Sequence, residues 1–283
     1  MLAVAAFASE PVRMTLFPDG TPSRTGLETT SEGRNAKGDF VRVSNPELLA
    51  FFPAPEVATG QAMLVVPGGG YGRICIAKAT AVAEWLVGHG IAAFILKYRM
   101  PNGHPDAVLE DGEQAMRMIR DSAARWGVDP RNVGVIGTSA GGHLAAVLAT
   151  RYTSEATRPD FVVLLYPALS MEYPNGRTRE NLLGAGCDDE TLRSRWSMSN
   201  QVHAGMPEVL LVLCDDDEVV PPQNSIGFYA ALKRHGVKAE LHVFPRGGHG
   251  FWMQKRYEYG EETYPIIMRW IRQHKTINEQ SQR

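Results

Sequence analysis

Residues 133–141 read VGVIGTSAG, and this stretch decides the fold. Residues 133–136 are a short apolar run, which is typical of a strand buried inside a parallel sheet. The next five residues, from Gly137 to Gly141, fit the pattern G-x-S-x-G and lead into residues that predict a helix. A strand, a tight turn and a helix in direct succession would place Ser139 at a helix N-terminus, where free N–H groups favour developing negative charge. Ser139 is therefore a candidate nucleophile.

Strand-like and helix-like segments alternate on both sides of this motif. Predicted strands lie at 63–66, 92–97, 133–136, 161–166, 209–213 and 239–244, and predicted helices at 77–87, 106–126, 139–150, 224–235 and 261–274. This alternation predicts an α/β fold with a parallel sheet and helices on both of its faces. We also expect residues 40–44 and 48–52 to form an antiparallel pair joined by a turn at Asn45 and Pro46.

One domain over residues 39–283 is the better interpretation, preceded by a leader over residues 1–38. Residues 18–38 are rich in Gly, Ser, Thr and charged residues, which predicts an exposed segment. Residues 2–8 are apolar and end in Ala6, Phe7 and Ala8, but no basic region precedes them. They are either a truncated secretory signal or an ordinary apolar start. The first alternative predicts a secreted or periplasmic protein, and the second allows a cytoplasmic one.

Residues 170–205 interrupt the alternation. They are polar, contain Pro174, Gly176 and Gly184, and separate two predicted strands. A connection of this length inside a compact domain is usually a lid or a binding insertion. Residues 188–196 are the part that could be helical.

Composition excludes several classes of function. The hydrophobic fraction of 44%, the charged fraction of 21% and the formal net charge of −2 are typical of a soluble globular protein. They give no basic field for nucleic acid or a membrane surface, and no apolar run is long enough to span a membrane. The three cysteines, Cys75, Cys187 and Cys214, are too scattered for a disulfide framework or a zinc site. We expect no metal and no cofactor.

A serine nucleophile needs a base and an acid that orients the base. Behind a G-x-S-x-G turn the chain order is Ser, then Asp or Glu, then His. Residues 215–218, DDDE, follow the predicted strand 209–213, and His249 follows the last predicted strand. Both loops lie at the carboxyl ends of parallel strands, where such sheets place their sites.

A glycine-rich loop, PGGGYG at 67–72, follows the first buried strand. It does not fit a dinucleotide-binding loop, because Arg73 stands at the last glycine position, and no Gly-Lys-Ser/Thr follows for a phosphate-binding loop. In a hydrolase such a loop supplies N–H groups to an oxyanion hole. We expect the N–H groups of Gly69, Gly70 and Ala140 to form it.

Taken together, these motifs resemble the acetylxylan esterase-like and short-chain carboxylesterase branch of the α/β-hydrolases. The residues that carry the resemblance are PGGGY (67–71), LKYR (96–99), GTSAGGH (137–143), NLLG (181–184), DDEVVP (216–221), NS (224–225) and LHVFPRGGHGF (241–251). The resemblance implies a mostly parallel eight-stranded sheet with a lid-like insertion. It also implies that the triad acid is the first residue of DDEVVP, Asp216, with Ser139 and His249 as its partners.

The expected function is removal of small acyl groups, chiefly acetyl, from carbohydrate such as acetylated xylan. The alternatives are a generalist short-chain carboxylesterase, an exopeptidase similar to prolyl oligopeptidase, and a catalytically inactive binding module. Tyr71 and Trp252 are candidate substrate-binding residues, because aromatic faces at a site mouth suit sugar rings; ordinary core packing is the alternative for Trp252 and for Phe251. Among the other histidines, His143 is expected to be structural.

Overall fold

A central β-sheet organises the chain. The computed structural model describes residues 11–280 and, for residues 275–280, the path of the helix alone. In chain order the strands are β1 (Val12–Thr15), β2 (Gly33–Arg34), β3 (Phe40–Val41), β4 (Glu47–Phe51), β5 (Ala62–Val66), β6 (Ala92–Lys97), β7 (Val133–Thr138), β8 (Phe161–Leu165), β9 (Glu208–Cys214) and β10 (Ala239–Phe244).

Eight of these strands form one sheet in the order β1-β4-β6-β5-β7-β8-β9-β10. The pairs β1–β4 and β4–β6 are antiparallel, and every other neighbouring pair is parallel. All residues of β5, β6 and β8 are buried, as expected for strands with helices on both faces. The predicted eight-stranded, mostly parallel α/β architecture is therefore confirmed.

Helices cover both faces of the sheet. They are α1 (Ile76–Val87), α2 (Asp106–Asp121), α3 (Ala140–Arg151), α4 (Thr178–Leu183), α5 (Glu190–Trp196), α6 (Gln223–Arg234) and α7 (Gly260–Gln280). One apolar core contains buried residues of α2, α3 and α6, and the other contains buried residues of α1 and α7. Among residues 11–280, no helix combines the length and the apolar character that crossing a membrane requires.

The amino-terminal part differs from the prediction in two respects. The predicted antiparallel pair 40–44 and 48–52 is wrong, because β3 pairs with β2 while β4 lies in the large sheet between β1 and β6. Within the leader predicted over residues 1–38, Val12–Thr15 form the edge strand β1, and Leu16 behind it is buried. The side chains of β1 are mostly exposed, so its sequence lacks the apolar pattern of an inner strand. The possible signal at residues 2–8 lies outside the described residues.

The insertion at residues 170–205 contains α4 and α5. The Asp189 carboxylate accepts the N–H of Leu192 at 2.9 Å and so caps α5, which confirms a helix within residues 188–196. The insertion is tied to the main body through Asn224 on α6, whose Oδ1 accepts the N–H of Ser170 at 2.9 Å and the Nδ2 of Asn175 at 3.1 Å. This attachment holds the insertion beside the carboxyl ends of the parallel strands.

Candidate active site

Ser139 occupies a sharp turn between β7 and α3. Its φ of 54° and ψ of −122° are unusual for a residue with a side chain, and its N–H donates to the Leu165 carbonyl at 3.0 Å. The flanking residues must be glycines: a Cβ at Gly137 would collide with the Gly141 carbonyl, and one at Gly141 would collide with the Val66 carbonyl. The predicted strand, turn and helix around Ser139 are therefore confirmed.

His249 lies between Ser139 and a carboxylate. Its Nε2 is 2.9 Å from the Ser139 Oγ, and its Nδ1 is 2.8 Å from Oδ2 of Asp217. The ring of Tyr166 packs edge-on against the imidazole, with 5.0 Å between the ring centroids. A hydrogen on Nδ1 that is donated to Asp217 leaves Nε2 free to accept the hydroxyl hydrogen of Ser139. This is the arrangement that activates a serine.

The prediction that Asp216 is the acid that contacts His249 is wrong, because the imidazole contacts Asp217. Asp216 is exposed and accepts the N–H groups of Gly247 at 3.1 Å and Gly248 at 2.7 Å. The Gly248 and Gly247 N–H groups hold the pKa of this carboxyl below its usual range. Asp216 therefore supports the backbone of the histidine loop and does not contact the imidazole.

Asp217 is oriented towards His249 by its own backbone turn. Its Oδ1 accepts the N–H groups of Val219 and Val220, both at 2.9 Å, which leaves Oδ2 for the imidazole. The residue is 4% exposed, whereas its neighbour Asp216 points to solvent. Adjacent side chains leave the backbone in different directions, and only the one that caps the turn reaches inwards.

The glycine loop borders the nucleophile. The N–H of Gly68 donates to Thr138 Oγ1 at 3.0 Å, and Asn181 Nδ2 donates to the Gly70 carbonyl at 2.7 Å. Gly69 has a φ of 140°, and a Cβ there would collide with the Arg73 carbonyl. Among the described residues no acceptor contacts the N–H groups of Gly69, Gly70 or Ala140. Gly69 and Gly70 line the cleft that holds Ser139, and Ala140 follows Ser139 directly.

The cleft above Ser139 and His249 has a volume of about 370 Å³. Its walls come from the glycine loop, from the start of α1, from the insertion and from the loops after β9 and β10. The lining residues are Gly68, Gly69, Gly70, Gly72, Arg73, Cys75, Lys78, Thr138, Ser139, Tyr166, Asn175, Gly176, Arg177, Thr178, Asn181, Val219, Val220, His249 and Gly250. In the part of the chain that the structure describes, no group of three His, Cys, Asp or Glu side chains could hold a metal ion.

The prediction that Tyr71 and Trp252 present aromatic faces at the mouth of the site is wrong. Tyr71 and Trp252 are each 1% exposed, and neither lines the cleft. The backbone of Tyr71 has a φ of 57°, and its ring turns inwards so that the hydroxyl is 2.7 Å from His143 Nδ1. Trp252 packs edge-on against Trp85 in the second core, with 5.4 Å between ring centroids. Packing inside the protein accounts for both rings.

His143 is structural, as the sequence predicted. It is fully buried, its Nδ1 meets the Tyr71 hydroxyl, and its Nε2 is 2.8 Å from the Trp196 carbonyl. Burial lowers the pKa of His143 to about 4, so the ring stays neutral near pH 7. It connects the glycine loop, α3 and the insertion.

Four residues at the site were not singled out from the sequence: Asp217, Asn181, Thr138 and Tyr166. Asp217 and Asn181 stand inside the motifs DDEVVP and NLLG, so the motifs located them without assigning their roles. Thr138 fills an x position of G-x-S-x-G, and Tyr166 ends an apolar run that predicts a strand. Only the folded arrangement distinguishes these side chains from their neighbours.

Comparisons with known proteins identify the fold family. A family model described as the α/β-hydrolase fold matches residues 66–253. An acetylxylan esterase of Xylanibacter ruminicola is 32% identical over 255 residues, which cover 87% of this chain and 52% of that protein. An endo-1,4-beta-xylanase B of Butyrivibrio fibrisolvens is 33% identical over 220 residues, covering 72% of this chain and 34% of that protein. The chain thus spans about half the length of the first relative and about a third of the second.

A solved structure extends the similarity to nearly the whole chain. The acetyl ester-xyloside bifunctional hydrolase from Caldicellulosiruptor lactoaceticus superposes with a TM-score of 0.80 at 29% identity, covering 95% of this chain and 98% of that one. The strand order, the turn at Ser139 and the matching family model lead to one conclusion. This chain belongs to the α/β-hydrolase family.

Proposed function

We propose that this protein is a serine carboxylic ester hydrolase that removes acetyl and other small acyl groups from carbohydrate alcohols. The observation that carries the proposal is the continuous contact from Ser139 Oγ through His249 to Asp217, with distances of 2.9 and 2.8 Å. It lies beside N–H groups of the glycine loop that are available to a substrate oxygen.

In the first half of the reaction Ser139 Oγ attacks the ester carbonyl while His249 Nε2 takes the hydroxyl proton. The Asp217 carboxylate accepts a hydrogen bond from the Nδ1–H of His249. This bond fixes the tautomer of the imidazole and stabilises the imidazolium that forms. His249 then returns the proton to the alcohol oxygen as the ester bond breaks. The alcohol leaves, and the acyl group stays on Ser139.

In the second half a water replaces the alcohol. His249 takes a proton from this water, which attacks the acyl carbon, and the acid leaves as Ser139 recovers its proton. In both halves the N–H groups of Gly69, Gly70 and Ala140 would face the negative oxygen of the tetrahedral intermediate. One such donor is typically worth about 3 kcal/mol of transition-state stabilisation.

The substrate class is supported by the similar proteins. The relatives described above carry the names acetylxylan esterase and xylanase, and the similar structure is an acetyl ester-xyloside hydrolase. A cleft of about 370 Å³ also suits a small acyl group on a sugar unit.

A generalist short-chain carboxylesterase is the second candidate. The observation that favours it is the burial of Tyr71 and Trp252, which removes the aromatic platform expected for a sugar ring. An ester hydrolase without such a platform would accept small aryl and alkyl acetates as readily as acetylated sugars.

The test compares acetate release from acetylated xylo-oligosaccharides with hydrolysis of 4-nitrophenyl acetate. We expect turnover of both substrates, loss of both in Ser139→Ala, and retention of both in the control Ser122→Ala, which lies at the end of α2. A fluorophosphonate should label the wild-type protein at Ser139 and not label Ser139→Ala. Hydrolysis of 4-nitrophenyl acetate alone would favour the generalist esterase, and absence of labelling would indicate an inactive binding module.

A further inference from the structure

Three basic side chains line the cleft that contains Ser139 and His249. They are Arg73, Lys78 and Arg177, which we call the cationic mouth. Arg73 belongs to the glycine loop region, Lys78 to α1 and Arg177 to the insertion, so they approach the cleft from separate parts of the chain. The protein as a whole has a formal net charge of −2, so this concentration of positive charge is local.

Most of this positive charge is not neutralised by the protein. The Arg73 Nε lies 3.3 Å from Asp39 Oδ2, and half of the Arg73 side chain remains exposed. Lys78 Nζ donates to the Gly250 carbonyl at 3.2 Å, a neutral partner that holds the ammonium group at the cleft. Among the side chains that the structure describes, no carboxylate pairs with Lys78 or Arg177.

Among the side chains that the structure describes, none that lines the cleft is acidic. Asp217, the nearest carboxylate to the imidazole, is 4% exposed and lies behind His249. A substrate in the cleft would therefore meet positive side chains and neutral groups. Clefts lined by one sign of charge concentrate ligands of the opposite sign.

We propose that the cationic mouth binds the carboxylate of a sugar acid, so that the preferred substrate is an acylated oligosaccharide carrying a uronic acid. This inference rests on the proposed function. The acyl carbon must reach Ser139 Oγ, and Lys78 and Arg177 are both exposed. We therefore place the alcohol part, which extends away from Ser139, beside these two side chains. The substrate carboxylate that the cationic mouth binds therefore belongs to the alcohol part of the ester, not to the acyl part.

The test uses two matched substrates: an acetylated xylo-oligosaccharide with one uronic acid substituent, and the same compound with the carboxyl reduced to a primary alcohol. At low ionic strength we expect kcat/KM to be about tenfold higher for the charged compound, with most of the difference in KM. The preference should fall to about twofold or less in about 0.5 M NaCl, because exposed charges are screened.

Substitutions test whether the cationic mouth causes the preference for the charged substrate. In Lys78→Gln/Arg177→Gln the ratio of kcat/KM between the charged and the neutral substrate should fall to about one. The control Arg125→Gln, an exposed arginine on a different cavity, should keep the wild-type ratio. A ratio of one in the wild-type protein, or an undiminished ratio in the double variant, would overturn the inference.

Three further outcomes distinguish this inference from the proposed function. A preference of similar size for a succinyl ester over a butyryl ester of one neutral alcohol would place the recognised carboxylate on the acyl part and overturn the inference. Acetate release from the neutral compound with no advantage for the charged one would overturn the inference and leave the proposed function intact. Failure to hydrolyse either compound would remove the proposed function and this inference with it.

Discussion

Asn181 Nδ2 donates a hydrogen bond to the carbonyl oxygen of Gly70 at 2.7 Å. Asn181 belongs to α4 in the insertion, whereas Gly70 belongs to the glycine loop beside Ser139. The bond holds the peptide group between Gly70 and Tyr71, which directly follows the peptide group that carries the Gly70 N–H assigned to the oxyanion hole. The insertion thus both covers the cleft and positions part of the site.

Asn181→Ala should lower kcat by about tenfold, because an unsupported Gly70 peptide gives a less ordered oxyanion hole. KM should change less, since the loss appears mainly in the transition state. Steady-state kinetics with 4-nitrophenyl acetate measures both quantities. Asn200→Ala is the matched control, because the Asn200 side chain donates to Ser194 within its own segment, away from the glycine loop. An unchanged kcat in Asn181→Ala would contradict the positioning role.

His143 should make the stability of the fold depend on pH. Its pKa is lowered by burial from 6.5 to about 4, so the unfolded chain takes up a proton at a higher pH than the folded one. The contribution of neutral His143 to the free energy of unfolding is therefore complete above pH 6.5. It is lost as the pH falls from 6.5 to about 4. The full loss would be about 3 kcal/mol.

Urea unfolding at several pH values tests this dependence. His143→Gln should be less stable than the wild type at pH 7, because the buried contacts with Tyr71 and Trp196 are disturbed. Its free energy of unfolding should fall less steeply between pH 6.5 and 4. His235→Gln, at the exposed end of α6, should keep the wild-type slope. Equal slopes for His143→Gln and the wild type would show that His143 does not cause the dependence.

The acyl side of the cleft should accept only short chains. Tyr166 lines the cleft with a side chain that is almost fully buried and packed against His249 and Phe251. For 4-nitrophenyl esters from acetyl to octanoyl, we expect kcat/KM to fall steeply beyond about three or four acyl carbons. Equal or higher rates with the octanoyl ester would contradict a small acyl pocket.

Much of the fold could be predicted from the sequence. Continuous apolar runs located the inner strands, and the residues around Ser139 predicted the turn that the structure contains. The edge strand β1 escaped prediction because its mostly exposed side chains give no burial pattern. The strand partners of β4 could not be predicted, because β4 pairs with segments that are far from it in the chain, Val12–Thr15 and Ala92–Lys97.

The site was predicted to the level of loops and less well to the level of side chains. Chain order placed Ser139, the acidic run and His249 together, but it could not determine which aspartate points inwards. That direction follows from the N–H groups of Val219 and Val220, which hold Asp217. The directions of Tyr71 and Trp252 likewise depend on packing partners, His143 and Trp85.

The assignment of Asp217 leads to the most direct measurement. Asp217→Asn should lower kcat with 4-nitrophenyl acetate by about 10³- to 10⁴-fold, because the imidazole loses the group that fixes its tautomer and stabilises its charged form. Asp216→Asn should stay within about tenfold of the wild type, since Asp216 only supports the Gly247 and Gly248 backbone.

The comparison of these two neighbouring substitutions tests the central claim, that Ser139, His249 and Asp217 form the catalytic triad. Circular dichroism and thermal unfolding show whether both variants fold. We predict a large loss of kcat for Asp217→Asn and a small one for Asp216→Asn. A large loss for Asp216→Asn together with near wild-type turnover for Asp217→Asn would contradict the claim.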